Sequence, residues 1–216
     1  PLNIPETFNK FKEALDSGVL TEDRLNISVR KILKTKYWVG LNNYQPIVLN
    51  NLLEDLNSFD NDLLNRELVE NSISLLKNDN LVFPVQNINR KKIAYVKFGD
   101  DDGSTFVNML NNYAQVDVIS SENLDELLYN LNPYNLVIIG YHKSNLNPWK
   151  GFKFLDNELV WIQEIARRKK VILDVFASPY SLLDVKTFEN IDGLLLSYQN
   201  SELAQEISAQ MIFGAI

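Results

Sequence analysis

The sequence predicts an α/β protein: a three-layer α/β/α sandwich with a mostly parallel sheet, preceded by two helices and a linker. Three observations predict it. From Ile93 onward, short apolar runs alternate with segments of helical period. The runs are nearly continuous in apolar residues, as strands covered on both faces are. Upstream, the apolar period is helical and then gives way to an asparagine-rich stretch.

The strand runs are 93–98 (IAYVKF), 116–120 (VDVIS), 135–141 (NLVIIGY), 171–176 (VILDVF) and the short 193–197. Helical patterns fall between them at 104–113, with Ser104 as the expected N-cap, at 124–131 and at 156–168. A last helix is expected over 201–213. Strand and helix in alternation imply βαβ units with right-handed crossovers. For five strands the expected order is 2-1-3-4-5, a flavodoxin-like sheet.

The N-terminal elements are read the same way. Pro5 suits a first helical turn, Phe8, Phe11 and Leu15 keep helical spacing, and Ser17-Gly18 ends the helix over 5–16. Thr21 is the expected N-cap of a second helix over 21–37, with Glu22 and Asp23 at its positive end and Lys34 and Lys36 at its negative end. Gly40 follows as the left-handed stop. Residues 42–62, rich in asparagine and holding Pro46, form the expected linker, and the sandwich takes 63–216. Helical period returns near Leu52 and runs through Leu64, Leu68 and Leu75 to about Lys77, so 63–85 reads as a helix that delivers the chain to its first strand.

Composition narrows the chemistry. The 216 residues are 45% hydrophobic, enough for one substantial core. The net charge is -7, which disfavours nucleic acid and anionic lipid as partners. Absence of cysteine excludes disulfides, thiol catalysis and zinc-thiolate sites. With one histidine, His142, a Ser-His-Asp triad and a histidine-rich metal site are not expected. His142 itself reads as a solvated loop residue after a strand. No apolar run reaches the ~18 residues of a membrane span. Neither a signal-peptide pattern at the start nor a polar close at FGAI is present, and both ends are expected to be cuts from a longer protein.

Three places carry candidate chemistry. The turn Gly99-Asp100-Asp101-Asp102-Gly103-Ser104 lies where a dinucleotide fold holds pyrophosphate, but three carboxylates repel phosphate. A solvated turn and helix cap is the expectation, and a divalent-cation site is the functional alternative. Asp174 interrupts an apolar strand near its C-terminal end, where such sheets bind ligands. Pairing with neighbouring backbone N–H groups or hydroxyls, such as Ser178 or Ser197, is its expected structural role. Tyr141, Trp149, Phe152, Phe154 and Trp161 cluster after the third strand. Most are expected to pack internally. Trp149, between Pro148 and Lys150, is the expected exposed one.

Two stretches together resemble family 3 glycoside hydrolases. Residues 18–41 (GVLTEDRLNISVRKILKTKYWVGL) resemble the segment that ends the catalytic (β/α)₈ barrel, through Glu22-Asp23-Arg24, Ser28-Val29-Arg30, Ile32-Leu33, Lys36 and Gly40-Leu41. Residues 63–85 resemble the helix opening the second domain, through Leu75-Leu76-Lys77-Asn78, Leu81 and Pro84. The stretches 175–182 and 209–216 are similar to later parts of that domain. The resemblance implies that residues 1–41 are the tail of a barrel and 63–216 the second domain. It is nearest the bacterial β-N-acetylhexosaminidase branch, which acts on cell-wall fragments, and so suggests a periplasmic or envelope location. In that branch the nucleophilic aspartate and a histidine-containing loop belong to the barrel, upstream of Pro1 in the family order. The chain has no lys-his-x-x-gly-his motif. The resemblance therefore nominates no catalytic residue, no metal ligand and no cofactor here. Its implied partners are the barrel of the same polypeptide and a carbohydrate. A small-molecule, carbohydrate or protein binding module without hydrolase role is the competing expectation.

Overall fold

The structure, a computed structural model, describes residues 3–147, 149 and 151–216. Pro1, Leu2, Pro148 and Lys150 lie outside the described residues. The chain divides into two compact units, one ending at Leu56 and one running from Asn57 to Ile216.

In the first unit, α1 (Ile4–Asp16) is capped by Asn3, whose side chain accepts from the Glu6 N–H at 3.3 Å. Thr21 caps α2 (Glu22–Trp38) by accepting from the Arg24 N–H at 3.2 Å. Gly40 follows with φ 81, the left-handed stop that the sequence predicts. A 3-10 turn (Leu41–Asn43) and α3 (Leu52–Leu56) complete the unit. None of these helices has a buried residue.

The second unit holds α4 (Phe59–Ser72), β1 (Ser74–Asn78), β2 (Ile93–Gly99), α5 (Ser104–Leu110), β3 (Val116–Val118), α6 (Leu124–Asn130), β4 (Leu136–His142), α7 (Asp156–Ala166), β5 (Val171–Phe176), β6 (Gly193–Leu196) and α8 (Glu202–Phe213). The sheet order is β1-β6-β5-β4-β2-β3. Strands β2 to β6 are parallel and stand in the expected 2-1-3-4-5 order. Strand β4 is buried along its whole length, and each of its large apolar side chains contributes about 1.5–3 kcal/mol by leaving water. The side chains alternate between two cores. Ile93, Tyr95, Leu136, Ile138 and Ile172 pack with α5 and α8. Ala94, Val96, Val137, Ile139 and Leu173 pack with α6 and α7. This is the three-layer α/β/α sandwich.

Two local expectations are corrected. The helix expected to continue to Lys77 stops at Ser72, and Ser74–Asn78 is a sixth strand, antiparallel to β6. Five residues, Ser-Leu-Leu-Lys-Asn, fit either period, and pairing with β6 decides between them. The residues 63–85 thus contain the first strand and do not merely lead to it. Ser104 is the first helical residue of α5, not its cap: Gly103 takes the cap position, and the Asp102 carboxylate accepts from the Ser104 N–H at 3.2 Å and its hydroxyl at 2.6 Å.

Candidate functional site

The parallel strands end together at the edge where α/β sheets bind ligands. Here β2 ends at Gly99, β4 at His142, β5 at Phe176 and β6 at Leu196. Gly99 has φ 85, and a Cβ on it would overlap the His142 carbonyl, so the turn into α5 passes directly over the end of β4. The Asp101 N–H donates to that carbonyl at 3.3 Å. The Lys97 ammonium donates to the carbonyls of Gly99 at 3.2 Å and Asp101 at 2.8 Å, which fastens the turn from the side.

Beneath the turn lies a buried polar chain centred on His142. Its Nε2 is 2.8 Å from the Tyr95 hydroxyl, and its Nδ1 is 2.7 Å from Asn200 Oδ1. The Asn200 amide also donates from Nδ2 to Asp101 Oδ2 at 3.0 Å and to the Asp102 carbonyl at 2.8 Å. Those two partners accept only, so the amide orientation is fixed. Asn200 Oδ1 then receives from His142 Nδ1–H and from Gln205 Nε2 at 3.0 Å. It follows that His142 Nε2 is unprotonated and Tyr95 donates to it. The Gln205 Oε1 accepts from the Phe106 N–H at 3.0 Å, so the chain joins the β2–α5 turn, β4 and α8. Loss of hydration, reinforced by the nearby Lys97 and offset only in part by the Asn200 contact and by Asp102 and Asp101, lowers the His142 pKa to about 4. Burial likewise raises the Tyr95 pKa, reinforced by Asp174 and Asp102.

Asp174, the residue that interrupts β5, is fully buried. Ser197 Oγ donates to its Oδ1 at 2.7 Å, and Ser208 Oγ donates to Oδ2. Burial raises its pKa to about 6, and the two hydroxyls and the Val175 N–H hold it from going higher.

The expectation for His142 is overturned. It is the last residue of β4 with 0% exposure, and its ring stacks on Phe176 with centroids 4.6 Å apart. Strand parity, continued one residue past Tyr141, turns the imidazole inward between α5 and β5. For Asp174, Ser197 is a partner as expected, but Ser208 and not Ser178 supplies the other. Gln205 and Ser208 were not anticipated. A signal existed: both are polar residues on the apolar stripe of α8, with Ala204, Ile207 and Ala209. Glycine gave another, since a Cβ on Gly103 would stand 2.6 Å from the Tyr95 hydroxyl and 2.7 Å from His142 Nε2.

The aromatic cluster is largely internal, as expected. Tyr141 stacks on Phe154 at 3.7 Å and donates its hydroxyl to the Phe152 carbonyl at 3.2 Å, while Phe98 meets Trp161 edge-on at 6.4 Å. Trp149 is 91% exposed. Above the sheet edge a cleft of about 150 Å³ is lined by Lys143, Ser144, Asn145, Asn147, Phe152 and Ser178. Lys143, 8% exposed, lies with its ammonium 3.5 Å from Asp100 and 5.7 Å from the centre of the Tyr141 ring.

The carboxylates of this edge are occupied. Asp100 faces Lys143, Asp101 accepts from Asn200, and Asp102 accepts from Ser104, which draws its pKa below the usual carboxylate range. Glu158 accepts from the Gly99 and Leu155 N–H groups at 2.9 and 2.8 Å. Among the described residues no group of three or more acidic or histidine side chains is arranged to hold a metal ion. No described helix is long and apolar enough to cross a membrane.

No protein-family model matches the chain, and no curated protein sequence does. Solved structures do. A β-glucoside phosphorylase, BglX, matches with a TM-score of 0.71 at 18% identity, covering 100% of this chain and 40% of its own. A glycoside hydrolase family 3 β-N-acetylglucosaminidase from Paenibacillus sp. matches with a TM-score of 0.61 at 16% identity, over 94% of this chain and 40% of its own. A β-glucosidase from Listeria innocua matches with a TM-score of 0.66 at 19% identity, over 94% and 32%. The fold is one that family 3 glycoside hydrolases carry. At these identities the likeness is one of fold, and it agrees with the resemblance read from 18–41 and 63–85. The chain spans 40% or less of the length of these enzymes.

Proposed function

We propose that the chain is the C-terminal, non-catalytic portion of a glycosidase which in full length hydrolyses β-linked N-acetylglucosaminides with retention. Residues 1–41 are then the tail of the catalytic barrel, 42–62 the linker and 63–216 the sandwich. The observation that carries the reading is the coverage: 94% of this chain or more aligns with 40% or less of a β-N-acetylglucosaminidase, a β-glucosidase and a β-glucoside phosphorylase. The edge of the sheet is consistent with it. A retaining mechanism needs at least a carboxylate nucleophile open to substrate, whereas Asp174 is sealed and Glu158 is bound by two backbone N–H groups.

The substrate class rests on the sequence resemblance to the N-acetylhexosaminidase branch. A β-glucoside is the second reading, because a β-glucosidase and a β-glucoside phosphorylase are among the similar structures.

Chromogenic N-acetylglucosaminide and glucoside, offered to the purified chain and to the full-length polypeptide, test both. The chain is expected to turn over neither, and the full-length protein to prefer the N-acetylglucosaminide with a β-configured first product. Reproducible turnover by the chain alone overturns the non-catalytic reading. A full-length preference for the glucoside selects the second reading. If the full-length protein cleaves neither, while N-acetylglucosamine raises the melting temperature of the chain, a binding module is the better description.

A further inference from the structure

The opposite edge of the sheet, where the parallel strands begin, carries a separate feature. Two basic runs precede strands there: Arg90-Lys91-Lys92 before β2 and Arg167-Arg168-Lys169-Lys170 before β5. In a chain of net charge -7 this is a local reversal of sign. Part of it serves the fold. Arg167 and Arg168 pair with Glu164, and Lys169 donates to the Asn132 and Tyr134 carbonyls at 2.9 and 3.0 Å.

Lys91 and Lys170 have no such role. Both line one cleft of about 200 Å³, together with Asn80, Gln86 and Asn87 and no aspartate or glutamate, while Lys170 and Asn80 also border an adjoining open cleft that holds Asp79, Glu189 and Asp192. Neither ammonium has an ion pair or hydrogen bond among the described residues, and neither do the side chains of Asn80 and Gln86. Strand parity explains the convergence. Ile93 and Ile172 face the same core, and Lys91 and Lys170 each stand two residues before them, on that same face. Lys91 is already extended, with φ -103 and ψ 134. Strand β4 lies between β2 and β5, and its first residue, Leu136, forms part of the cleft wall. The register sets Lys170 level with Leu136 and Lys91 two residues further out, so the two lysine backbones are about 12 Å apart, two strand spacings combined with two residues of rise, and both residues line the cleft. Two cations sharing a cleft without a carboxylate repel each other, and an anion between them removes that cost.

We propose that this cleft binds a compact oxyanion, the phosphate or carboxylate group of a small molecule. The ammonium groups of Lys91 and Lys170 supply the charge, and the amides of Asn80 and Gln86 supply neutral donors. The site is independent of the glycosidase reading, since it lies at the other end of the strands.

Titration of the full chain with inorganic phosphate, and separately with acetate, at ionic strength held constant with chloride, tests the proposal through backbone amide shifts. Saturable shifts at Lys91 and Lys170 with either anion are expected, and the tighter anion identifies the group. The double substitution Lys91→Gln/Lys170→Gln is expected to weaken binding by about tenfold or more, a loss of about 1.4 kcal/mol. Lys92→Gln removes one charge from the other face, beside Ala94, and should leave binding within about twofold, whereas Lys91→Gln and Lys170→Gln, each also removing one charge, should each weaken it by more than that. Both lysines of the double variant are solvent-reaching, and its urea midpoint checks that it folds. The proposal is overturned if neither anion saturates, or if Lys92→Gln weakens binding as much as the double substitution does.

Discussion

The Tyr95 hydroxyl donates to His142 Nε2 across 2.8 Å in the sealed interior of the sandwich. The direction of that bond is set by Asn200, which takes the Nδ1 proton. Tyr95→Phe keeps the ring and its edge contact with Phe106, at 5.7 Å between centroids, but leaves Nε2 without a donor. An unsatisfied buried acceptor costs about 1–3 kcal/mol. Urea denaturation should show a loss in that range with an unchanged slope. A neutral result would mean that Nε2 finds a water in place of the phenol.

The two buried titrating groups oppose each other in pH. His142 has a folded pKa of about 4, below its ordinary 6.5. Its contribution is complete above pH 6.5 and is lost as the pH falls through 4. Asp174 has a folded pKa of about 6, above its ordinary 3.8. Its contribution is complete below pH 3.8 and is lost as the pH rises through 6. Each shift is worth about 3 kcal/mol, so in the wild-type chain the two nearly cancel between pH 4 and 6.5. Asp174→Asn removes one side of the balance. Its stability relative to wild type should therefore rise by about 3 kcal/mol from pH 4 to 6.5. Denaturation midpoints across that range check it, and parallel curves for the two proteins would count against the assignment.

How much of this was legible in the sequence follows from the range of the forces. The strands β2, β4 and β5 announce themselves because burial on both faces demands continuous apolar runs, and their order follows from crossover handedness. Strand β1 did not, because Leu75-Leu76-Lys77 gains its strand character only from pairing with Leu194 and Leu195, far along the chain. His142 was misplaced for the same reason. Nothing local marks an imidazole as buried, and its partners Tyr95 and Asn200 stand 47 and 58 residues away. Asp174 was legible as an anomaly, a carboxylate in an apolar strand, although Ser208 on α8 was not legible as its partner. The proposed anion cleft combines local and distant information: the basic runs are plain in the sequence, but only the sheet order brings Lys91 and Lys170 to the same cleft, on either side of β4.

Gly103 shows how the interior constrains the turn above it. Its φ of -128 is ordinary for any residue, so the backbone alone does not call for glycine. The demand is steric, from the Tyr95 hydroxyl and His142 Nε2. Gly103→Ala should cost about 1–3 kcal/mol by overpacking. In the Tyr95→Phe background the same change should cost less, because the nearest atom is gone. A double-mutant cycle measures that coupling, and strict additivity would place the cost elsewhere.

Asn200→Asp gives the sharpest separation between a polar chain that is merely satisfied and one whose polarity is directional. The substitution is nearly isosteric. It replaces the Nδ2 donor with an acceptor facing Asp101 Oδ2 and the Asp102 carbonyl, both of which accept. Two donated bonds become two repulsions, and stability at pH 7 should fall by on the order of 3 kcal/mol. The new carboxylate also lies against His142 Nδ1 and favours the imidazolium, so the His142 pKa should move up from about 4 toward or past its ordinary 6.5. As that proton binds, the imidazolium pairs with the carboxylate, and the variant should recover stability relative to wild type as the pH falls toward 5. Imidazole ring shifts followed by NMR report the titration directly. A His142 that stays neutral at pH 6 in this variant would show that Asn200 does not set its protonation.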